Sequence, residues 1–293
     1  YHFFQQEGAI MVSHEQDQGD YQRFYRFVKQ HYPQHQIHQL NRQQLLELEP
    51  ELGRSFNNGL FLPEEGQIGN RKLLEALEWQ LHKEGVEWFD STEITTITPS
   101  STGCSISHSR GMQNFDLVVD CRGMGAQFDG KNKQAQSMAG LRGVRGELFQ
   151  LLAPDVHISR PVRLMHPRYQ LYIAPKGKGF YVVGATEIES EDTNPMTVRS
   201  ALELLSAAYS VHPGFAEANI RQHLSQLRPA FNDNQPNVQV ADSLVQVNGL
   251  YRHGFLIAPV VLQQVEKAVL KQLEPNSGHD GDNYDMLLPI NFS

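Results

Sequence analysis

The first half of the chain contains a run of patterns that constrains the fold more than any other part. An apolar stripe with helical spacing is capped by Asn70 and ended by Gly85. Strand patterns follow at residues 86–89 and 92–97, and residues 115–120 have the continuous apolar character of a buried parallel strand. Helix, strand, hairpin and buried strand, in this order and followed by a glycine turn, predict an α/β layer of the nucleotide-binding kind.

The glycine turn has the pattern Gly123-x-Gly125-x-x-Phe128. A dinucleotide fingerprint places a third small residue where Phe128 stands, because helix and strand must approach closely there. The following residues, 129–136, are polar and lack amphipathic spacing. We therefore reject this turn as the main pyrophosphate loop and interpret it as an accessory turn near a cofactor.

The middle of the chain changes character. Strand patterns rich in aromatic and β-branched residues occupy residues 145–152, 170–174 and 180–184. Thr197 caps a predicted helix that turns Leu202, Leu205 and Tyr209 inward, and a second helical stretch is predicted at residues 215–227. Strands with helices on one face predict a second domain with a mixed or antiparallel sheet.

The composition excludes several classes of function. A net charge of -8 argues against a nucleic-acid partner, which would need a basic face. The longest apolar run, residues 255–262, is too short for a membrane span. The two cysteines, Cys104 and Cys121, form no disulfide framework and favour a reducing, cytoplasmic location. Three early histidines lack carboxylate or cysteine partners at ligand spacing, so we predict no metal site.

A glycine-flanked stretch near the end of the chain, residues 249–259, joins Arg252 and His253 to an apolar run that becomes helical. A helix N-terminus presents unpaired N–H groups, and glycine lets backbone approach a flat or anionic ligand. The stretch indicates either an anion or cofactor-edge site or simply a tight strand-to-helix turn.

Two arginines and one tyrosine are candidate binding residues. The guanidinium groups of Arg228, beside Pro229, and of Arg252 match a carboxylate bidentately, although a lone arginine is more often a surface residue. Tyr172 lies in an otherwise apolar strand, where a core tyrosine is the alternative. No combination of serine, cysteine, histidine and aspartate indicates a protein nucleophile or base.

Several motifs, in order along the chain, resemble the FAD-dependent amine oxidases of the D-amino-acid oxidase family, and within it the sequence is similar to the glycine oxidases of thiamine biosynthesis. The motifs are residues 120–123, 142–147, 163–175, 182–187, 227–229 and 251–259. The resemblance implies oxidative deamination of glycine or another small amino acid or amine, with hydride passing to non-covalent FAD and then O₂ reduced to H₂O₂.

The resemblance also implies an α/β (α+β) fold with two domains. An FAD-binding Rossmann-like layer, lacking its first βα unit, would comprise residues 66–135 and 226–275. A substrate domain with a mixed or antiparallel sheet would comprise residues 1–65 and 136–225. Residues 276–293 would form a tail.

Site residues carried over from the family fall into two groups. Arg228, Arg252 and Tyr172 would bind the substrate, the first through its carboxylate. No protein base is required, because the neutral amine releases electrons directly. The cofactor-binding residues would be Ile94, Gly123, Leu250, Tyr251, Arg252, His253, Gly254, Phe255 and Leu256.

One departure concerns the family's Gly-x-Gly-x-x-Gly loop, which belongs before Tyr1 and has no counterpart here. We therefore expect these 293 residues alone to bind FAD poorly, and the intact parent protein to be the enzyme. The alternatives are a related flavin amine dehydrogenase or sarcosine oxidase, and a non-catalytic truncated fragment without FAD. The predicted partner is a small amino acid, and a homo-oligomer is possible.

Overall fold

A computed structural model describes residues 4–52, 56–128, 140–166 and 171–273 of the chain. The chain divides into two compact units, each assembled from several segments. Unit 1 comprises Tyr1–Glu84, Gly146–Ile188 and Thr193–Gln226, and unit 2 comprises Gly85–Arg145, Glu189–Asp192 and Leu227–Ser293. The tail predicted at residues 276–293 lies outside the described residues. No helix in the described ranges is both long enough and apolar enough to cross a membrane.

The elements are numbered in chain order. The strands are β1 (Phe4–Gln5), β2 (Ala9–Ser13), β3 (His38–Asn41), β4 (Asn58–Leu62), β5 (Gln67–Ile68), β6 (Ile94–Ser100), β7 (Gly103–His108), β8 (Gly111–Phe115), β9 (Val118–Asp120), β10 (Arg142–Leu152), β11 (Val162–Met165), β12 (Leu171–Gly177), β13 (Phe180–Gly184), β14 (Asn219–Ala230), β15 (Asn237–Ala241) and β16 (Leu244–Asn248). The helices are α1 (Gln18–His31), α2 (Arg42–Leu48), α3 (Asn70–Lys83), α4 (Val198–Val211) and α5 (Gly254–Leu273).

Most of an eight-stranded sheet, in the order β14-β10-β13-β12-β11-β2-β4-β3, lies in unit 1, while residues 142–145 of β10 and 227–230 of β14 belong to unit 2. β2 and β11 are parallel, whereas β2–β4, β3–β4, β11–β12, β12–β13 and β10–β13 are antiparallel. The mixed sheet predicted from residues 145–152, 170–174 and 180–184 is confirmed by β10, β12 and β13.

The central strand β2 is buried on both faces. Alternate residues point to opposite faces of a strand. Ile10 and Val12 accordingly join the main core, which includes residues of α2 and α4, whereas Met11 packs with Tyr21 of α1. This burial explains why β2 reads as a continuous apolar run.

Two helix starts follow from local sequence. In α2, the Asn41 side chain accepts a hydrogen bond from the Gln44 N–H, and the Gln44 side chain accepts one from the Asn41 N–H, which completes a capping box. Thr197 caps α4 by accepting from the Ser200 N–H, as predicted.

The predicted inward face of α4 was wrong for two of its three residues. Leu205 packs partly buried against the core, but Leu202 and Tyr209 are exposed, and the buried face carries Leu204, Ala207, Ala208 and Val211. Both faces of this helix have apolar residues at spacings of three and four, so periodicity alone could not choose between them. The small residues Ala207 and Ala208 lie on the buried face.

The helix predicted at residues 215–227 was also wrong. A short 3₁₀ turn, Pro213–Glu217, ends the helical region, and β14 follows. Backbone pairing next to β10 at the edge of the sheet overrides the helical spacing of the side chains. Arg228 therefore lies near the end of a strand.

Unit 2 contains the sheets β15-β16-β9 and β6-β7-β8 together with α5. β9 runs parallel to β16, which confirms the parallel strand predicted within residues 115–120. The strand predicted at residues 86–89 does not form, because the chain there has no ladder partner among the described residues. Val245, Val247, Ile257 and Val261 form the core between β16 and α5.

Candidate functional site

The parallel strands β9 and β16 end at the same edge of their sheet, with Asp120 and Asn248 as their last residues. Ligands of α/β sheets bind outside the carboxyl ends of parallel strands. Both residues are buried. The loops that follow β9 and β16 at this edge are therefore the candidate binding site of unit 2.

Asp120 holds the first loop through Arg122. Its carboxylate accepts from the Arg122 Nε and Nη2 at 2.9 Å each and from the Arg122 backbone N–H at 3.1 Å. Burial disfavours ionisation of the Asp120 carboxyl, but the hydrogen bonds and charge of Arg122, helped by Gln246, outweigh burial and lower its pKa. The carboxylate is thus a fixed negative anchor that orients a guanidinium at the strand end.

Asn248 joins the two loops to each other. Its Nδ2 donates to the carbonyl oxygen of Gly123 at 2.9 Å, while its Oδ1 accepts from the Gly249 N–H at 2.9 Å. Gly123 has a φ of +57°, in the left-handed region that favours glycine. A Cβ there would lie 3.7 Å from Cγ of Pro229, so a third segment also reaches this edge.

That third segment is the end of β14, which carries Arg228. The backbone N–H of Tyr251 donates to the carbonyl oxygen of Pro229 at 3.0 Å. Gly249, with a φ of +76°, lies against Phe231, which follows β14. An added Cβ at Gly249 would be 2.3 Å from Cδ2 of Phe231. The loop that carries Arg252 is therefore fixed against the segment that carries Arg228.

The Arg228 side chain is partly buried, and its Nη1 donates to the carbonyl oxygen of Arg145 at 3.4 Å. Arg145 lies on β10, the neighbour of β14 in the sheet. The side chain of Arg252 is exposed. The structure thus brings together the segments of Gly123, Arg228 and Arg252, all within unit 2.

Helix α5 begins at Gly254, within the glycine-flanked stretch of residues 249–259, and Pro259 lies inside the helix. The residues predicted to meet the cofactor thus divide between the preceding loop, Leu250 to His253, and the first turn, Gly254 to Leu256. The first N–H groups of a helix have no partner within it, and the helix dipole is positive at this end. This turn can therefore stabilise negative charge.

Two predicted site residues lie elsewhere. Ile94 begins β6 and pairs with His108 in the other sheet of unit 2. Tyr172 lies on β12 in unit 1, where it pairs with Gly184 of β13. A Cβ at Gly184 would be 3.0 Å from the Tyr172 hydroxyl, so the glycine makes room for the tyrosine ring.

The sequence reasoning missed four residues that build this region. Asp120 and Arg145 belong to the motifs at residues 120–123 and 142–147, but nothing in a single sequence shows that they hold other side chains of the site in place. Asn248 ends an ordinary strand pattern. Asp192, whose carboxylate lies 3.0 Å from Nη1 of Arg145, is 47 residues away from its partner.

The described residues fit the FAD implied by the resemblance. The flavin ring system gains negative charge on reduction, and the start of α5 supplies the positive end of a helix dipole. The glycine backbone at Gly123 and Gly249 is held in conformations that bring main chain to the strand ends. Leu250 to Leu256 and Gly123 would hold the cofactor at this edge.

Comparison with known proteins identifies the family of the chain. A family model described as FAD dependent oxidoreductase (DAO) matches residues 2–262. The chain is 37% identical over 266 residues to the thiamine biosynthesis oxidoreductase ThiO of Rhizobium etli, covering 90% of this chain and 72% of that protein. It is 23% identical over 236 residues to a glycine oxidase of Bacillus licheniformis, covering 79% of this chain but only 62% of that protein.

Solved structures give the same fold. The crystal structure of glycine oxidase from Geobacillus kaustophilus superposes with a TM-score of 0.77 at 22% identity, covering 95% of this chain and 76% of that one. The mixed α/β fold is thus the fold of that glycine oxidase. The chain belongs to the DAO family of FAD-dependent oxidoreductases.

Proposed function

We propose that this protein oxidises glycine or another small amino acid with FAD and supplies thiamine biosynthesis. The observation that carries the proposal is the hydrogen bond between the Tyr251 N–H and the Pro229 carbonyl. It fixes the segments of two arginines beside each other, next to the start of α5. The relatives named for thiamine biosynthesis and glycine oxidation support the same reaction class.

Arg228 is proposed to bind the substrate carboxylate. Its planar fork matches the two carboxylate oxygens, and its partial burial strengthens a charged hydrogen bond relative to an exposed one. The fixed carboxylate then orients the α-carbon, and orientation supplies much of the rate of a two-reactant step. Arg252 adds positive charge from the neighbouring loop, where solvent screens it more strongly.

FAD, held by Gly123 and the segment Leu250 to Leu256, would supply the redox chemistry, a two-electron oxidation of the amine with O₂ as the final acceptor and H₂O₂ as the product. The amine becomes an imine, which water hydrolyses to an oxo acid and ammonia. The protein's part is to hold the substrate, to keep it oriented and to place the first N–H groups of α5 against developing negative charge.

The roles of Tyr172 in substrate binding and Ile94 in cofactor binding are proposed from the resemblance alone. We likewise propose that unit 2 binds the cofactor and that unit 1 provides the substrate sheet. A homo-oligomer and a cytoplasmic location remain predictions, which sedimentation and cell fractionation test.

The test is to purify the full-length protein with FAD and to measure H₂O₂ on adding glycine. We expect peroxide in proportion to glycine consumed. Flavin reduction without peroxide, with electrons passing to a quinone instead, would identify a dehydrogenase. Peroxide with sarcosine but not with glycine would indicate a sarcosine oxidase, and a protein that takes up no FAD would be the non-catalytic alternative.

A further inference from the structure

An acidic segment, Glu189–Asp192, belongs to unit 2 although the chain on both sides of it belongs to unit 1. We name it the acidic strap. The carboxylate of Glu189 accepts a hydrogen bond from Nη1 of Arg142 at 2.7 Å, and the carboxylate of Glu191 accepts one from the Gly143 N–H at 2.9 Å. The strap is therefore tied to the beginning of β10 by both a side chain and the backbone.

The last tie of the strap involves a buried cation. The Arg145 side chain is only 2% exposed, and its Nη1 donates to the Asp192 backbone carbonyl at 2.7 Å and lies 3.0 Å from the Asp192 carboxylate. A guanidinium buried this deeply needs an opposite charge beside it, because the cost of removing it from water is otherwise uncompensated. Asp192, which is 44% exposed, provides that charge.

Arg145 also contacts Arg228, the proposed substrate arginine. The backbone carbonyl of Arg145 accepts from Nη1 of Arg228 at 3.4 Å. Arg145 thus contacts Asp192 through its guanidinium and Arg228 through its carbonyl. A shift of β10 at this residue would change the position of the Arg228 guanidinium.

Charge complementarity also favours a substrate carboxylate at Arg228. Arg145 and Arg228 lie on neighbouring strands, so two positive charges are brought to one part of unit 2. Asp192 offsets the charge of Arg145. The positive charge of Arg228 is complementary to an anionic ligand such as a substrate carboxylate.

We propose that Asp192 is a positioning residue that acts through Arg145 to orient Arg228 toward the substrate carboxylate. The inference rests on the proposed function, since it assumes that Arg228 binds that carboxylate. Asp192 itself takes no part in the chemistry. Its loss should therefore weaken substrate binding and leave the rate of the bound complex nearly unchanged.

The test compares Asp192→Asn with Glu189→Gln in the full-length flavin-loaded protein. Both changes remove one negative charge from the acidic strap and keep the side-chain shape, but Glu189 pairs with Arg142 whereas Asp192 pairs with Arg145. We expect Asp192→Asn to raise KM for glycine by roughly tenfold, within the range for residues that act through a neighbour, with kcat changed less than twofold. Glu189→Gln should leave KM unchanged.

A second variant and a second measurement keep the result interpretable. Asp192→Glu retains the charge and should restore KM to within about threefold of wild type, which a purely structural role of the aspartate shape would not do. Binding of acetate, followed by the flavin absorbance change, should weaken in Asp192→Asn by the same factor as KM rises. An unchanged acetate affinity and KM in Asp192→Asn, or equal effects of both strap variants, would overturn the inference. If wild type binds acetate more tightly than Asp192→Asn but does not oxidise glycine, the positioning role stands and the proposed reaction is wrong.

Discussion

The backbone N–H of Tyr251 donates to the carbonyl oxygen of Pro229 at 3.0 Å. This bond joins the end of β14 to the loop before α5, and each of the two segments carries a candidate substrate arginine next to the bonded residue. Sequence separation hides this relationship, because more than twenty residues and two strands lie between them. The proposed substrate site depends on this hydrogen bond.

Arg252 should contribute less to substrate binding than a buried arginine would. Its side chain is exposed, so water and salt screen its charge. We expect Arg252→Gln to raise the KM for glycine about three- to tenfold, with kcat within twofold of wild type. Steady-state peroxide assays measure both constants. Arg221→Gln, a change at an exposed arginine of β14, is the control and should alter neither.

Gly249 should be far more sensitive to substitution than Gly85, another glycine with positive φ. In Gly249→Ala, the new Cβ would lie 2.3 Å from Cδ2 of Phe231, in addition to the left-handed strain at a φ of +76°. We expect a loss of about 2–4 kcal/mol in unfolding free energy. Gly85→Ala has a similar φ of +81° but open space around it, and should lose only about 1 kcal/mol. Urea unfolding of both variants tests this difference, and equal losses would contradict the contact with Phe231.

Glu49 should make the stability of unit 1 depend on pH. Burial raises the pKa of its carboxyl above the ordinary value, although two hydrogen bonds from Ser159 partly offset the effect. A raised folded-state pKa means that the folded protein binds the proton more tightly than the unfolded chain. The contribution is therefore complete below the unfolded pKa of about 4.5 and is lost as pH rises through the folded pKa.

Unfolding free energies of wild type and Glu49→Gln should be compared from pH 4.5 to pH 7. We expect the stability of wild type relative to the variant to fall as pH rises. The exposed neighbour Glu47, changed to Gln, reports the effect of removing one charge from the same helix end. A relative stability of wild type that rises with pH would show that the Ser159 hydrogen bonds dominate instead.

Tyr172 is proposed as a substrate residue, and its hydroxyl can be removed without leaving a large cavity. We expect Tyr172→Phe to raise the KM for glycine by about three- to tenfold through the loss of one hydrogen bond. Stability should change by less than about 1.5 kcal/mol, as for the loss of a single net hydrogen bond. An unchanged KM together with a large loss of stability would show that Tyr172 is a core tyrosine, the alternative considered from its strand context.

Features set by short-range chemistry could be predicted from the sequence. The capping box of Asn41 and Gln44 and the cap at Thr197 depend on residues three positions apart. The parallel strand that ends at Asp120 is recognisable from its apolar run and the glycine turn after it.

Features set by distant partners could not be predicted in this way. The region around Ile220 has apolar residues at helical spacing but becomes part of an edge strand because β10 lies beside it. The pair of Arg145 and Asp192 needs the fold to bring a residue of β10 beside a loop 47 residues further along the chain. The resemblance identified Arg228 and Arg252 as site residues, whereas the hydrogen bond that joins their segments required the structure.

The most direct test of the account is to compare glycine with glycinamide, which lacks the carboxylate, as substrates of wild type and Arg228→Ala in the full-length flavin-loaded protein. The measured quantity is kcat/KM from peroxide formation. We expect Arg228→Ala to lower the value for glycine by about a hundredfold or more, the scale of losing a charge-assisted bidentate contact, and to leave the lower value for glycinamide nearly unchanged. Equal losses for the two substrates, or full activity of Arg228→Ala on glycine, would contradict the assignment of Arg228 to the substrate carboxylate.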